Sequence, residues 1–217
     1  MHETDYHIGQ PDEHYLRAWI ATLRMTNSAS DKDRITALIL AGGAGRRAGG
    51  VDKGLILYRD KPLIQHVLDR LTPQVDTIIV SCNRNASDYA AHCTRLVSDT
   101  RAGYLGPLAG IESALSVIET PYVLLSPCDT PHLPLDLVRR LQQAAGVGTR
   151  TPVTASIAND GSRDHYLNAL IKREALNTVV EELNEGQRAV RHWLFKMNLA
   201  RADFSDCPGA FRNVNKL

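Results

Sequence analysis

Two sets of residues, far apart in this chain, have the types and spacing to handle a charged phosphate. The first is Gly42-Gly43-Ala44-Gly45-Arg46-Arg47-Ala48-Gly49-Gly50-Val51-Asp52-Lys53-Gly54, which follows the apolar run Ile35 to Ala41. Glycines leave the backbone open to phosphate oxygens, and successive N–H groups form an anion-binding nest. Lys53 adds a mobile point charge and Arg47 a planar fork, while adjacency leaves Arg46 to solvent. Asp52 is placed to orient Lys53. The second set is Pro127-Cys128-Asp129-Thr130-Pro131, directly after the apolar run Pro121 to Ser126. A carboxylate at a strand end, with prolines suppressing helix on both sides, can hold Mg²⁺ against a triphosphate. The same aspartate could equally close a turn or cap a helix. Cys128 beside it reads as a packing residue rather than a nucleophile. The expectation is a nucleoside triphosphate site.

Other glycine motifs fit less well. Gly43 to Ala48 matches the dinucleotide fingerprint in form, but that fingerprint needs a helix opening at its third position and an acidic strand end about twenty residues on. Gly49 and Gly50 disfavour the helix, and Arg59-Asp60-Lys61-Pro62 reads as a turn. The phosphate loop ending in Gly-Lys-Ser/Thr fails because Val51 follows Gly50 and glycine follows Lys53.

These residues need a scaffold, and the apolar pattern supplies one. Buried strands are expected at Ile35 to Ala41, Val75 to Ser81, Arg95 to Ser98 and Pro121 to Ser126. Helices are expected from Pro62 to before Pro73, with Leu63, Ile64, Val67, Leu68 and Leu71 inward. The stretch Gly103 to Gly110 leads into a second, with Leu108, Ile111, Ala114, Leu115 and Ile118 inward. A third opens near Pro134, with Leu135, Val138 and Leu141 inward. Strands alternating with helices predict an α/β fold, a three-layer αβα domain with a mainly parallel, Rossmann-like sheet. Further on, strands at Pro152 to Ile157 and Tyr166 to Ile171 are joined by a long polar hairpin over 158–165. Helices over about 173–184 and 187–197 and a short strand at Ala202 to Phe204 complete the pattern.

The bulk properties agree. The chain of 217 residues is 43% hydrophobic and 23% charged, with a net charge of +1, which is the balance of a single globular domain and not of a nucleic-acid coat. No uninterrupted apolar run approaches the roughly 18 residues of a membrane span. Cysteines 82, 93, 128 and 207 form no C-x-x-C pair, and reduced thiols in a cytoplasmic protein are the simpler reading. Residues 1–34 form an N-terminal extension in which Leu16, Trp19, Ile20 and Leu23 recur at helical spacing. Such a helix would dock on the domain or on a second subunit, or belong to a dispensable extension.

The stretch from Leu40 to Gly54, with Gly106-Pro107-Leu108-Ala109-Gly110 and Pro-Cys-Asp-Thr-Pro, resembles the molybdenum cofactor guanylyltransferases, and the resemblance runs from about Ile35 to Asn215. It implies transfer of GMP from GTP to molybdopterin, with Mg²⁺ on Asp129 and catalytic roles for Asp129, Lys53 and Arg47. It also implies GTP contacts from Leu40, Ala41, Gly42, Gly43, Lys53, Asn83, Asp99 and Asp129. For Asp99 the implied role is either a hydrogen bond to the nucleoside or assistance to the metal. Where the family has Asn-x-Asn-Arg, this chain has Ser81-Cys82-Asn83-Arg84, so only the second asparagine is kept. Arg163, Asp164, His165, Asn213 and Asn215 would face the pterin acceptor, although Tyr166-Leu167 replaces the family's Pro-Thr. His165 reads equally well as a hydrogen-bonded structural residue. On this resemblance residues 35–131 bind the nucleotide and 132–217 the acceptor. The partners implied are molybdenum cofactor, cofactor-loading proteins and recipient molybdoenzymes. A cytidylyltransferase of the same cofactor, a sugar-phosphate nucleotidyltransferase and a non-catalytic pterin carrier share enough of these features to stay open.

Overall fold

The computed structural model describes residues 33–43, 51–93 and 95–214. The helix expected within 1–34, together with Arg46, Arg47 and Asn215, therefore falls largely or wholly outside the described residues. The first element is β1 (Ile35–Leu40), apolar and buried on both faces. A 3₁₀ turn at Lys53–Leu55 leads into a two-residue pairing of β2 (Leu57–Tyr58) with β3 (Lys61–Pro62). Within the turn expected at Arg59 to Pro62, Arg59 and Asp60 take the left-handed conformation (φ 48° and 64°), whereas Lys61 and Pro62 belong to β3.

Helix α1 (Leu63–Leu71) buries the five apolar residues expected of it and stops at Thr72, ahead of Pro73. Then come β4 (Thr77–Ser81), the short α2 (Ala86–Ala90), β5 (Leu96–Val97), α3 (Pro107–Ala114) and β6 (Tyr122–Pro127). Helix α4 (Leu137–Ala145) ends at Gly146, whose left-handed backbone (φ 66°) lets its N–H reach back to Gln143. One expectation fails here. Leu135 is 59% exposed, because the helix opens only at Leu137 and the inward places go to Leu133 and Leu137.

The second half departs further from expectation. Strands β7 (Ala155–Asn159) and β8 (Asp164–Lys172) lie closer together than the long hairpin predicted. The turn between them is closed by the Asp160 side chain, which accepts from the backbone N–H groups of Ser162 and Arg163 at 2.9 Å each. A 3₁₀ stretch (Arg173–Thr178), α5 (Val179–Asn184), α6 (Val190–Phe195) and β9 (Leu199–Asp203) follow.

The seven-stranded sheet has the order β5-β4-β1-β6-β8-β7-β9. Pairings among β5, β4, β1 and β6 are parallel, as is β7 with β9, whereas β8 runs antiparallel to both β6 and β7. Side chains alternate across it: Ile35, Ala37 and Ile39 pack with Ile64, Val67 and Leu141 on one face, while Leu38, Ile79 and Leu125 pack with Leu108, Ile111 and Trp193 on the other. This is the three-layer αβα arrangement, with the mainly parallel sheet in the middle. The chain moves outward from β1 to β5 and then returns past β1 to β6. The crevice at the carboxyl ends of β1 and β6 is therefore the topological switch point at which open α/β sheets take ligands.

Candidate active site

Leu40 is in register with Ser81 on one side and Pro127 on the other. The segments that leave these three strands must emerge together, and they enclose a cavity of about 670 Å³. Leu40, Ala41, Gly42 and Gly43 form its floor, with Ser81, Asp99 and Gly110 on the β4–β5 side and Leu167 and Asn213 on the β8 side. Lys53, Cys128 and Asp129 line it as well. A smaller cavity of about 450 Å³ beside Tyr122 and Lys172 lies at the beginning of β6, away from these groups.

The two sets of residues singled out in the sequence meet here. The Lys53 ammonium lies 3.2 Å from Asp129 Oδ2, although the residues are 76 positions apart. The Asp129 side chain is only 8% exposed and the Lys53 side chain 34%. Asp129 also accepts, through its backbone carbonyl, the N–H of Val214 at 2.9 Å, which brings Asn213 to the cavity. Burial pushes the neighbouring Cys128 thiol far up, with the Asp129 carboxylate adding to the effect, so this cysteine stays protonated and inert.

Asn83 has a different surrounding from a ligand contact. Its Nδ2 donates to the Gly42 carbonyl (3.1 Å) and to the Asp99 carboxylate (2.8 Å), and its Oδ1 accepts the Asp99 N–H (2.8 Å). Its amide ties the ends of β1, β4 and β5 to one another, and it is Asp99 that reaches the cavity wall. Burial raises the Asp99 pKa, the Asn83 hydrogen bond opposes that, and Glu112 adds to the rise.

The residues expected at the acceptor side divide. Asn213 lines the cavity, whereas Arg163, Asp164 and His165 do not. Asp164 is engaged by Arg201 (2.9 Å) and Asn159 (2.7 Å), linking three neighbouring strands. His165 Nε2 lies 2.7 Å from the buried Asp160, and its ring stacks on Phe211 at 4.5 Å. That contact holds the segment carrying Asn213. Arg163 is exposed, with Nε 3.7 Å from Asp160.

Several groups at the site have surroundings that the sequence does not show. Ser81 is buried, its Oγ has no hydrogen-bond partner among the described residues, and it lines the cavity. Tyr104 adds an exposed ring to the wall from a left-handed backbone (φ 52°). Asp52, expected to orient Lys53, is buried and accepts from Tyr89 Oη (2.5 Å) and Asn85 Nδ2 (3.1 Å). Serine at a strand end and tyrosine on a short polar helix look ordinary until tertiary neighbours are known.

Among the described residues no group of three or more His, Cys, Asp or Glu is arranged to hold a metal ion. A buried carboxylate opening on a cavity large enough for a nucleotide suits a divalent cation whose remaining ligands are substrate phosphates and water. The donor set at Asp129 fits that kind of site.

An αβα sheet with a cation and a carboxylate opposed across its switch point defines a nucleotidyltransferase-like domain. The chain belongs to the family described as MobA-like NTP transferase domain, whose model matches residues 37–201. It is 42% identical over 182 residues to the molybdenum cofactor guanylyltransferase of Shewanella sediminis, covering 84% of this chain and 91% of that one. Identity to the protein of the same name from Shewanella woodyi is 43% over 183 residues, covering 84% and 91%. Among solved structures, the molybdopterin-guanine dinucleotide biosynthesis protein A of Archaeoglobus fulgidus superposes with a TM-score of 0.67 at 21% identity, covering 83% of this chain and 92% of that one. A nucleotidyl transferase from Methanothermobacter gives a TM-score of 0.64 at 17% identity, covering 84% and 92%. Both structures share the fold. Among the described residues no helix is long and apolar enough to cross a membrane.

Proposed function

We propose that this chain transfers GMP from GTP to the phosphate of molybdopterin-bound molybdenum cofactor, yielding the guanine dinucleotide cofactor and pyrophosphate. The observation that carries the reading is the meeting of Lys53 with Asp129 at 3.2 Å across the switch-point cavity, in a chain whose relatives are named for this activity. In the transfer, an oxygen of the acceptor phosphate forms a bond to the α-phosphorus of GTP as the bond from that phosphorus to the β-phosphate oxygen breaks. The attacking oxygen is already ionised, so the site needs no general base, and alignment and charge neutralisation carry the catalysis.

Lys53 takes the charge of the departing pyrophosphate, and Arg47 clamps it from the same stretch. Asp129 holds Mg²⁺, which when bound supplies positive charge to the phosphate oxygens. Leu40 to Gly43 give the phosphates and nucleoside a backbone floor, with Asp99 at the nucleoside side and Asn83 positioning Asp99. Asn213 serves the acceptor directly. Arg163, Asp164 and His165 support the acceptor-side wall, and Asn215 continues the segment that carries Asn213. Residues 35–131 form the nucleotide-binding half and 132–217 the acceptor half. The partners in this reading are GTP, molybdenum cofactor, cofactor-loading proteins and recipient molybdoenzymes, in the cytoplasm.

The test is a panel of GTP, CTP and ATP with Mg²⁺ and molybdenum-loaded molybdopterin, following pyrophosphate. GTP is expected to support release well above the others. A preference for CTP refutes the guanylyl assignment, and no release with any nucleotide refutes transfer.

A further inference from the structure

We propose that the segment from the end of β4 through α2 is a two-point clamp on the glycine-rich stretch, with Tyr89 and Asn85 as positioning residues that set the place of Lys53. The inference rests on the nucleotidyltransferase reading and adds to it residues that have no assigned role. The first point is Asn83, whose Nδ2 donates to the Gly42 carbonyl at 3.1 Å. The second is Asp52, immediately before Lys53. Its carboxylate is buried, 7% exposed, and accepts from Tyr89 Oη (2.5 Å) and Asn85 Nδ2 (3.1 Å), with Arg84 Nε at 3.6 Å.

A carboxylate beside a triphosphate site repels the ligand, so an Asp at position 52 needs a reason to be there. Two hydrogen-bond donors, Asn85 and Tyr89, and the Arg84 cation, all between the end of β4 and the end of α2, offset its charge and make it an attachment point. Asn85 reaches it from a left-handed backbone (φ 53°), a conformation Asn tolerates better than most residues. The residue on the other side of Lys53 is held by the same ring. A Cβ on Gly54 would overlap the Tyr89 hydroxyl and come within 3.1 Å of two ring carbons, so the glycine backbone lies directly on a tyrosine that is fully buried. Lys53 is thus flanked by two residues seated on Tyr89, and from there its side chain extends to Asp129.

A positioning residue that acts through Lys53 loses its effect when the ammonium is gone, whereas a general structural effect persists. The test measures GTP affinity by calorimetry, in the presence of Mg²⁺, for the full chain, Tyr89→Phe, Lys53→Ala and the double variant. Tyr89→Phe keeps the ring and removes the donor to a buried charge. It is expected to weaken GTP binding about tenfold in the wild-type background and less than about twofold in the Lys53→Ala background. Equal losses in the two backgrounds, or an unchanged affinity for Tyr89→Phe, overturn the clamp. If Tyr89→Phe is insoluble, Asn85→Ala replaces it in the same cycle with the same expectations. A wild-type chain that does not bind GTP at all overturns the guanylyl assignment on which the test is built, a result distinct from loss of the clamp alone.

Discussion

Replacing Asp129 by asparagine removes one charge and almost nothing else. The side chain keeps its volume, and the backbone link that brings in the terminal segment, Val214 N–H to the Asp129 carbonyl at 2.9 Å, is untouched. Loss of the ion pair with Lys53 costs about 1–2 kcal/mol of stability, because the Asp129 side chain is only 8% exposed whereas the freed ammonium, 34% exposed, can turn to water. The folded protein should therefore melt within a few degrees of wild type. Catalysis should respond much more strongly. Withdrawing a preorganised group that supports transition-state charge typically costs 10²- to 10³-fold, or about 2.7–4 kcal/mol, and the Asp129 carboxylate lies 3.2 Å from the Lys53 ammonium in the cavity. The two ligands should also behave oppositely. Without divalent metal, Asp129→Asn should bind GTP at least as well as wild type, because Lys53 no longer has a competing anion 3.2 Å away. With Mg²⁺ the advantage should reverse. Pyrophosphate release and calorimetry with and without the metal measure both. Turnover within tenfold of wild type, or a large loss of metal-free GTP affinity, refutes the role given to Asp129.

Lys53→Ala should weaken GTP binding by roughly 10- to 100-fold, the range for a hydrogen bond between charged groups; unchanged affinity by calorimetry removes Lys53 from the site. In Gly110→Ala the added Cβ would lie 2.7 Å from Ser81 Oγ and 3.0 Å from Leu40 Cδ2, both on the cavity wall, so nucleotide affinity should fall. Helix propensity alone favours alanine by about 1 kcal/mol, so a raised Tm with unchanged GTP affinity would contradict that packing. Asp160 is held well below the usual carboxylate range by the Ser162 hydroxyl first, with further hydrogen bonds from His165 and the backbone of Ser162 and Arg163. A depressed carboxyl stabilises the fold above its ordinary value of 3.8, and that contribution is lost as the pH falls below it. Thermal melts between pH 5 and 2.5 should therefore fall less steeply for Asp160→Asn than for wild type, and equal slopes would remove Asp160 as a source of acid sensitivity.

How much of this was legible beforehand depends on the distance over which each property is decided. Ile35 to Leu40 and Tyr122 to Pro127 are apolar apart from Thr36 and Ser126, and Leu63, Ile64, Val67, Leu68 and Leu71 recur at helical spacing. Both patterns record a residue's own burial, so the strands, α1 and the layered α/β architecture follow from the order of residues. The glycines before Lys53 and the prolines around Asp129 mark the two strand ends where ligand chemistry belongs, and the motifs they form carry the family. What a residue faces is another matter, because its partners come from distant parts of the chain. The insertion of β8 between β6 and β7, the exposure of Leu135, the enclosure of Asn83 between Gly42 and Asp99 and the burial of Asp52 under Tyr89 are all choices of neighbour. Hydrogen bonds and ion pairs of that kind form only once the sheet has brought β1, β4 and β6 side by side. The contact of Lys53 with Asp129 therefore belongs to the tertiary structure, although each residue was visible separately in the sequence.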